Sequence, residues 1–354
     1  WKVTDGDAVY LQASESPVWD TVLSCLALLD AGRTPADCPE LGRALHWVLN
    51  EQIFTWGDWQ QFVRGVRPGG WAFEFDNDAY PDVDDTAVAL IVLLKLQRLL
   101  GADAPAALGP AIERGLEWML GMQCRNGGWA AFDRDNDTTL LTKIPFCDFG
   151  ELLDPPSVDV TAHALEALAL AGYGTNDPAV ARGLAFVLSE QEADGSWFGR
   201  WGVNHLYGTA AVLPALAALG LDRSLPCFQR AADWIVAHQN ADGGWGEGCG
   251  SYMNPALRGV GDSTASQTAW ALLALIAAAR PGDASAVRRG LEWLARTQRD
   301  DGTWDEPEYT GTGFPGYGVG SRISIDDGTR DYLQQTTDLQ RSFMINYHLY
   351  RHYF

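Results

Sequence analysis

No uncharged apolar run in these 354 residues approaches the roughly 18 that a membrane span requires, so no bilayer-crossing helix is expected. Cysteines are few and solitary. Cys25, Cys38, Cys124, Cys147, Cys227 and Cys249 include no CxxC pair, which indicates neither a zinc ribbon nor a disulfide framework and fits a reducing compartment. Basic residues are scarce, 25 Lys and Arg against 46 Asp and Glu, for a formal charge of −21. That balance argues against nucleic acid as a partner and leaves few cations to clamp a diphosphate. The opening WKVTDGDAVY has no basic start before an apolar core, so it is not a signal peptide, and it reads as a cut rather than a designed beginning.

What is abundant is apolar and repeated. Hydrophobic residues make up 47% of the chain, enough for a sizeable core. QCRNGGW (123–129), QEADGSW (191–197), QNADGGW (239–245) and QRDDGTW (298–304) share the form QxxxGxW, and GVRPGGW (65–71) is a degenerate fifth with Gly65 in place of Gln. The tryptophans fall at 71, 129, 197, 245 and 304, uneven intervals that suit related modules with variable loops. Each Gln closes an amphipathic helical pattern, as in AIERGLEWMLGMQ and AVRRGLEWLARTQ, and a glycine then ends the helix. A second, far more apolar helix follows, as in DDTAVALIVLLKLQRLLG and DVTAHALEALALAG. With DTVLSCLALLDAG near the start, LQRSFMINYHLYRHYF at the end and LGRALHWVLNEQ, six apolar and five amphipathic helices are expected. Their alternation predicts an all-α fold, an α/α barrel of six helical hairpins with apolar helices inside and amphipathic ones outside. The sixth outer helix is expected from sequence beyond either end, so residues 1–354 read as one barrel domain and as a fragment. The repeated Gln and Trp are assigned to stability, the indole packing and the amide tying helix ends.

The starts of the inner helices carry Trp19 and Asp20, then Asp82, Asp84 and Asp85, then Asp159 and His163, then Tyr207. Helix capping accounts for one carboxylate at 82–85 but not for three, since like charges this close repel. A calcium loop from Asp76 fails, with Pro81 at the position where an EF-hand needs Gly and Ala87 at the twelfth. A site that keeps a proton among several acids remains. His163, four residues after Asp159, shares its helix face, and a cationic imidazole beside an acid favours loss of the acid's proton. The simpler alternative is a satisfied core histidine. Cys147, Asp159 and His163 suggest a metal set only weakly, for want of any ligand pair at close spacing. Phe73, Phe132, Trp201, Tyr207, Phe314, Phe343, Tyr347 and Tyr350 concentrate aromatic rings at expected loop and cavity positions. Ordinary packing accounts for any one of them. As a set they would stabilise a carbocation without offering a lone pair to trap it.

The repeats, together with SPVWDT (16–21), DVDDTA (82–87), IPFCDFGE (144–151), DVTAH (159–163), RWGVNHLYGT (200–209) and GTGFPG (311–316), resemble the bacterial squalene-hopene cyclases along the length of the chain. The resemblance covers about the C-terminal half to three-fifths of such an enzyme and lacks its second barrel domain. It implies acid-initiated cyclisation of squalene to hopene and some hopanol, with no metal or organic cofactor. Asp84 would be the acid, supported by Asp82 and Asp85, with His163 hydrogen-bonded among the acids and oriented by Asp159. Tyr207 would help return the proton through ordered water. Trp19, Asp20, Phe73, Phe132, Trp201, Phe314, Phe343 and Tyr347 would line the cavity, and Phe146 and Cys147 would flank the substrate channel. An alkene is a weaker base than an epoxide, so the DVDD form points to squalene where oxidosqualene cyclases carry a single-Asp motif. The family also implies peripheral attachment to the cytoplasmic face of the cell membrane, a homodimer, and the missing N-terminal domain as partner. Phe132 stands where many members have tyrosine, and the stretch between GTGFPG and FMINYHLY is an insertion read as a surface loop. The rivals are a class II diterpene cyclase acting on a prenyl diphosphate, a protein prenyltransferase subunit needing zinc, and a binding scaffold on a degenerate barrel.

Overall fold

The computed structural model describes residues 2–6, 8–11, 15–138, 153–313 and 344–354. Two compact units divide the chain, Trp1–Met122 and Gln123–Phe354. In the first, strands β1 (Lys2–Asp5) and β2 (Ala8–Leu11) pair antiparallel, with Lys2 opposite Leu11 and Asp5 opposite Ala8. Helices α1 (Pro17–Asp30), α2 (Pro39–Asn50), α3 (Val83–Leu100) and α4 (Leu108–Gly121) follow, with α1 against α2 and α3, and α3 against α4. Burial separates the two helix types. Every residue of α3 from Val83 to Leu94 is buried, as an all-round apolar sequence requires. Helix α2 buries only the stripe Leu41, Leu45 and Val48, and Pro39 opens it where a missing N–H costs nothing.

The second unit continues the alternation with α5 (Val158–Leu170), α6 (Pro178–Ser189), α7 (His205–Ala218), α8 (Pro226–Ala237), α9 (Ala265–Ala278) and α10 (Ala284–Thr297). The apolar α7 packs between α5 and α9, and the amphipathic α10 buries only Ala286, Gly290 and Trp293. Beyond it come the two-residue strands β3 (Gly311–Thr312) and β4 (Met344–Ile345), paired antiparallel, and the single turn α11 (Tyr350–Tyr353). The described residues thus contain five apolar and five amphipathic long helices. None is long and apolar enough to cross a membrane.

The repeats tie successive amphipathic helices together. Gln123 Nε2 donates to the carbonyls of Gly127 and Ala179 at 2.8 Å each, Gln191 to Gly195 and Cys227, and Gln239 to Gly243 and Ala286. Each second acceptor lies in the first turn of the next amphipathic helix. Arg182, Arg230 and Arg289 on those helices donate back to the three Gln oxygens. Each motif glycine lies against the carbonyl of the same arginine, and a Cβ at Gly127 (φ +98°) would stand 2.4 Å from the Arg182 oxygen. The tryptophans add two bonds. Trp71, Trp129, Trp197 and Trp245 donate their backbone N–H to Thr86, Thr161, Thr209 and Thr268 of the following apolar helix. The indoles of Trp71, Trp197, Trp245 and Trp304 donate to the carbonyls of Val48, Val187, Ile235 and Leu294. The helix-tying expected of the Gln amides is what their hydrogen bonds perform. In the degenerate first repeat the Gln is supplied from farther upstream, Gln52 donating to Gly69 and Ala111.

One expectation fails. The apolar helix expected over LQRSFMINYHLYRHYF does not form through its described part. Thr310 N–H donates to the Ile345 carbonyl, the Asn346 amide to Glu306 O, and Tyr347 N–H to Thr310 Oγ1. The Ile345 carbonyl and the Tyr347 N–H, which a helix would pair internally, thus find partners outside the segment, and among its described residues only the last turn is helical.

Candidate active site

Asp82 is the N-cap of α3: its Oδ1 accepts from the Asp84 and Asp85 amides at 2.6 and 3.1 Å. Its own N–H donates to the Trp71 carbonyl at 2.7 Å, closing the loop 72–81 that carries half-buried Phe73. Capping therefore accounts for Asp82 and leaves the other two acids unexplained. Asp84 is 7% and Asp85 1% exposed, and Asp85 Oδ1 has no hydrogen-bond partner among the described residues. Burial first, then the charges of Asp82, Asp84 and Asp20, push the Asp85 carboxyl well above the usual carboxylate range. Asp20 sits on α1 and accepts from Ser16 Oγ at 2.7 Å, next to the buried Trp19. A carboxyl whose pKa is raised in this way holds its proton more firmly than an ordinary aspartate.

In the second unit Asp159 is fully buried in the first turn of α5 and gathers four donors. Its Oδ1 accepts from Ser157 Oγ and Val160 N, and its Oδ2 from the backbone N–H groups of Arg200 and Trp201 at 2.9 and 2.8 Å. His163, one turn on and half-buried, meets Tyr207 of α7 edge-on at 6.5 Å. The Tyr207 ring continues to Trp270 of α9 at 4.9 Å, Trp270 to Tyr350 at 5.9 Å, and Tyr350 stacks on Tyr347 at 4.4 Å and 7°. Gly202 makes room for this run, since a Cβ there would lie 2.3 Å from the Tyr207 ring. Trp201 pairs with the β3 strand through Thr312 N–H to its carbonyl, and its ring meets Phe132 edge-on at 6.1 Å and 79°. Most contacts in this run are edge-to-face, the arrangement aromatic rings prefer when they pack together.

The structure thus gathers Asp20, Asp82, Asp84 and Asp85 in one unit, and His163, Tyr207, Trp201, Phe132 and Tyr347 in the other. Phe146, Cys147, Phe314 and Phe343 lie outside the described residues, as does the 316–341 insertion. Sequence reasoning passed over Trp270 at the centre of the aromatic run, and three buried acids. Glu247 Oε2 accepts from Leu206 N at 2.9 Å at the start of α7, and Glu306 accepts from Ser266 N at 2.9 Å at the start of α9. Burial pushes both carboxyls up. Both follow a repeat tryptophan by two residues, a signal the sequence carries as WGE and WDE. The third, Asp154, is held by the backbone N–H groups of Phe132 and Asp133, and burial pushes it up to about 6 against the opposing charge of Arg200.

Residues 15–319 match the model of the squalene-hopene cyclase C-terminal domain. The chain belongs to the squalene-hopene cyclase C-terminal domain family. Squalene-hopene cyclase of Alicyclobacillus acidocaldarius is 56% identical over 305 residues, 86% of this chain and 47% of that protein. Squalene-hopene cyclase of Schizosaccharomyces japonicus is 50% identical over 313 residues, 86% of this chain and 46% of that protein. The chain spans about half the length of the curated relatives it matches. Among solved structures, a type II terpene cyclase from Scytonema has the same fold at a TM-score of 0.57 and 17% identity, over 89% of this chain and 76% of that one. At that identity the likeness carries the fold alone, the α/α-barrel class of paired inner and outer helices. Squalene-hopene cyclase family membership rests on the sequence relatives.

Proposed function

We propose that this chain is the acid-bearing part of a triterpene cyclase that converts squalene to hopene, with some hopanol from water capture, through carbocations and without a metal or organic cofactor. The observation that carries the reading is the buried trio at the start of α3, where Asp82 serves as the cap and burial beside the other acids raises the pKa of Asp85. In this reading Asp84 protonates the terminal alkene, Asp85 resupplies its proton, and Asp82 supports the pair as the cap of α3. His163, oriented by Asp159, takes the role among the acids that the family implies, and Tyr207 assists return of the proton. Trp19, Asp20, Phe73, Phe132, Trp201 and Tyr347 line the path of the cation, with Phe314, Phe343, Phe146 and Cys147 in the roles the family implies. The partners are squalene, the other half of the enzyme, a second copy of the chain, and the cytoplasmic face of a bacterial membrane. The basic residues of α3, Lys95 and Arg98, both lie in the second half of the helix away from the acid, and Lys95 is engaged with Asp30.

The test is turnover of squalene by the intact natural chain in detergent, with products read by gas chromatography and mass spectrometry and Asp84→Asn alongside. Cyclic triterpene from the natural protein, lost by a factor of about 100 or more in the variant, is the expected result. Turnover of a prenyl diphosphate with none of squalene would move the assignment to the diterpene class.

A further inference from the structure

We propose that Asp154 is a positioning residue that sets the Phe132–Trp201 ring pair and, through it, the product distribution, an inference that rests on the cyclase reading above. Asp154 Oδ2 accepts from two successive backbone N–H groups, Phe132 at 2.6 Å and Asp133 at 2.7 Å. Its own N–H donates to the Asn136 carbonyl at 3.0 Å, and the Asn136 amide reaches back to Asp133 Oδ2 at 2.8 Å, so the 132–136 turn is closed on it. Five residues on, Asp159 does the same for Arg200 and Trp201. One short segment therefore hooks both loops, each by a pair of consecutive amides. Pro155 and Pro156 lie between the two carboxylates and fix two of the backbone torsions that set their separation. The consequence of both hooks is the edge-on contact of Phe132 with Trp201.

Phe132 has no polar atom on its ring, so only its backbone and its packing hold it. The charged groups around Asp154 are Arg200, which opposes the rise of its pKa, and Asp133, which adds to it, while Asp154 itself helps raise the Cys124 thiol. Arg200 also lies 5.9 Å from the Trp201 ring and donates weakly to the Leu153 carbonyl at 3.5 Å. A shift of the Phe132 ring changes which cation along the path is stabilised, and so where a proton is lost or water captured.

Two variants of the intact natural chain test this. Asp154→Ala removes the acceptor, and Asp154→Asn keeps a carbonyl oxygen that can take both amides. Hydrogen exchange read by mass spectrometry on peptides covering 130–138 is expected to speed up in Asp154→Ala and to stay close to the natural protein in Asp154→Asn. From squalene, the ratio of minor to major cyclic products is expected to change about fivefold in Asp154→Ala and to be restored in Asp154→Asn. If Asp154→Ala does not accumulate, Asp154→Ser, too short to reach the loop, takes its place. Unchanged exchange in the truncated variant overturns the anchor. Faster exchange with lower turnover and an unchanged product ratio leaves only a structural role and overturns the proposal. If the natural protein itself makes no cyclic product from squalene, the functional reading falls and the control of products falls with it, while the exchange data still decide the anchor on their own.

Discussion

Asp82 and Asp85 occupy one helical turn yet perform opposite work. Asp82 accepts two amides at the positive end of α3, a favourable use of a carboxylate, whereas Asp85 is buried beside like charges. A native carboxyl whose pKa lies above the unfolded value binds more protons than the unfolded chain throughout that interval. Its cost to stability is thus absent in acid and grows as pH rises above the ordinary carboxylate range. Asp85→Asn is expected to raise stability at pH 7 by about 1–2 kcal/mol and to flatten this pH dependence while turnover falls, as thermal melts between pH 4 and 8 would reveal; a less stable variant at pH 7 contradicts the account. The acidic trio was legible because three carboxylates exceed what a cap can use. Asp154 was not, since in LDPPS it reads as a turn residue and the amides it holds lie 22 and 21 positions upstream. Trp270 was hidden in another way. Its helix is apolar on every side, so the sequence pattern does not distinguish one buried ring from its neighbours.

Among the helices, the alternation of burial was readable because an all-round apolar segment and a one-stripe segment differ in composition as well as periodicity. The ties between helices were readable as motifs, although their targets were not. Gln52 escaped because it lies 17 positions before Gly69, where the intact repeats set Gln four positions before Gly. The final helix was overestimated because helical spacing of aromatic residues took no account of strand partners supplied by residues 310–312. The ties should differ in worth with burial. Gln123 is 4% exposed and donates to two carbonyls of the frame, those of Gly127 and Ala179, whereas the exposed Gln298 side chain donates, among the described residues, only to the Gly302 carbonyl. Gln123→Ala is expected to lose about 2 kcal/mol in urea titrations and Gln298→Ala about 0.5 kcal/mol or less. Equal losses would mean that burial of the amide is irrelevant to the frame.

For the chain as a whole, a charge of −21 sets the terms of any contact with lipid. The peripheral attachment proposed here has to be apolar, because an acidic protein is repelled by anionic headgroups. Co-sedimentation of the intact natural chain is expected to favour neutral over anionic vesicles. Binding to anionic vesicles should rise with salt as the screening length falls from about 30 Å at 0.01 M to about 10 Å at 0.1 M. Release by salt would instead point to a basic docking patch. The backbone pairs that join Trp71 to Asp82, Trp129 to Ser157 and Trp245 to Thr264 close their intervening loops at the base. The sequence intervals between these pairs are 72–81, 130–156 and 246–263, so stretches of very different length separate equivalent anchor points. Doubling the length of such a loop costs only about 0.6 kcal/mol of closure entropy. An ancestor could therefore lengthen, shorten or rewrite the segments bearing Phe73 and Phe132 while the helical frame stayed almost equally stable, which makes new product chemistry accessible by insertion and deletion as well as by substitution.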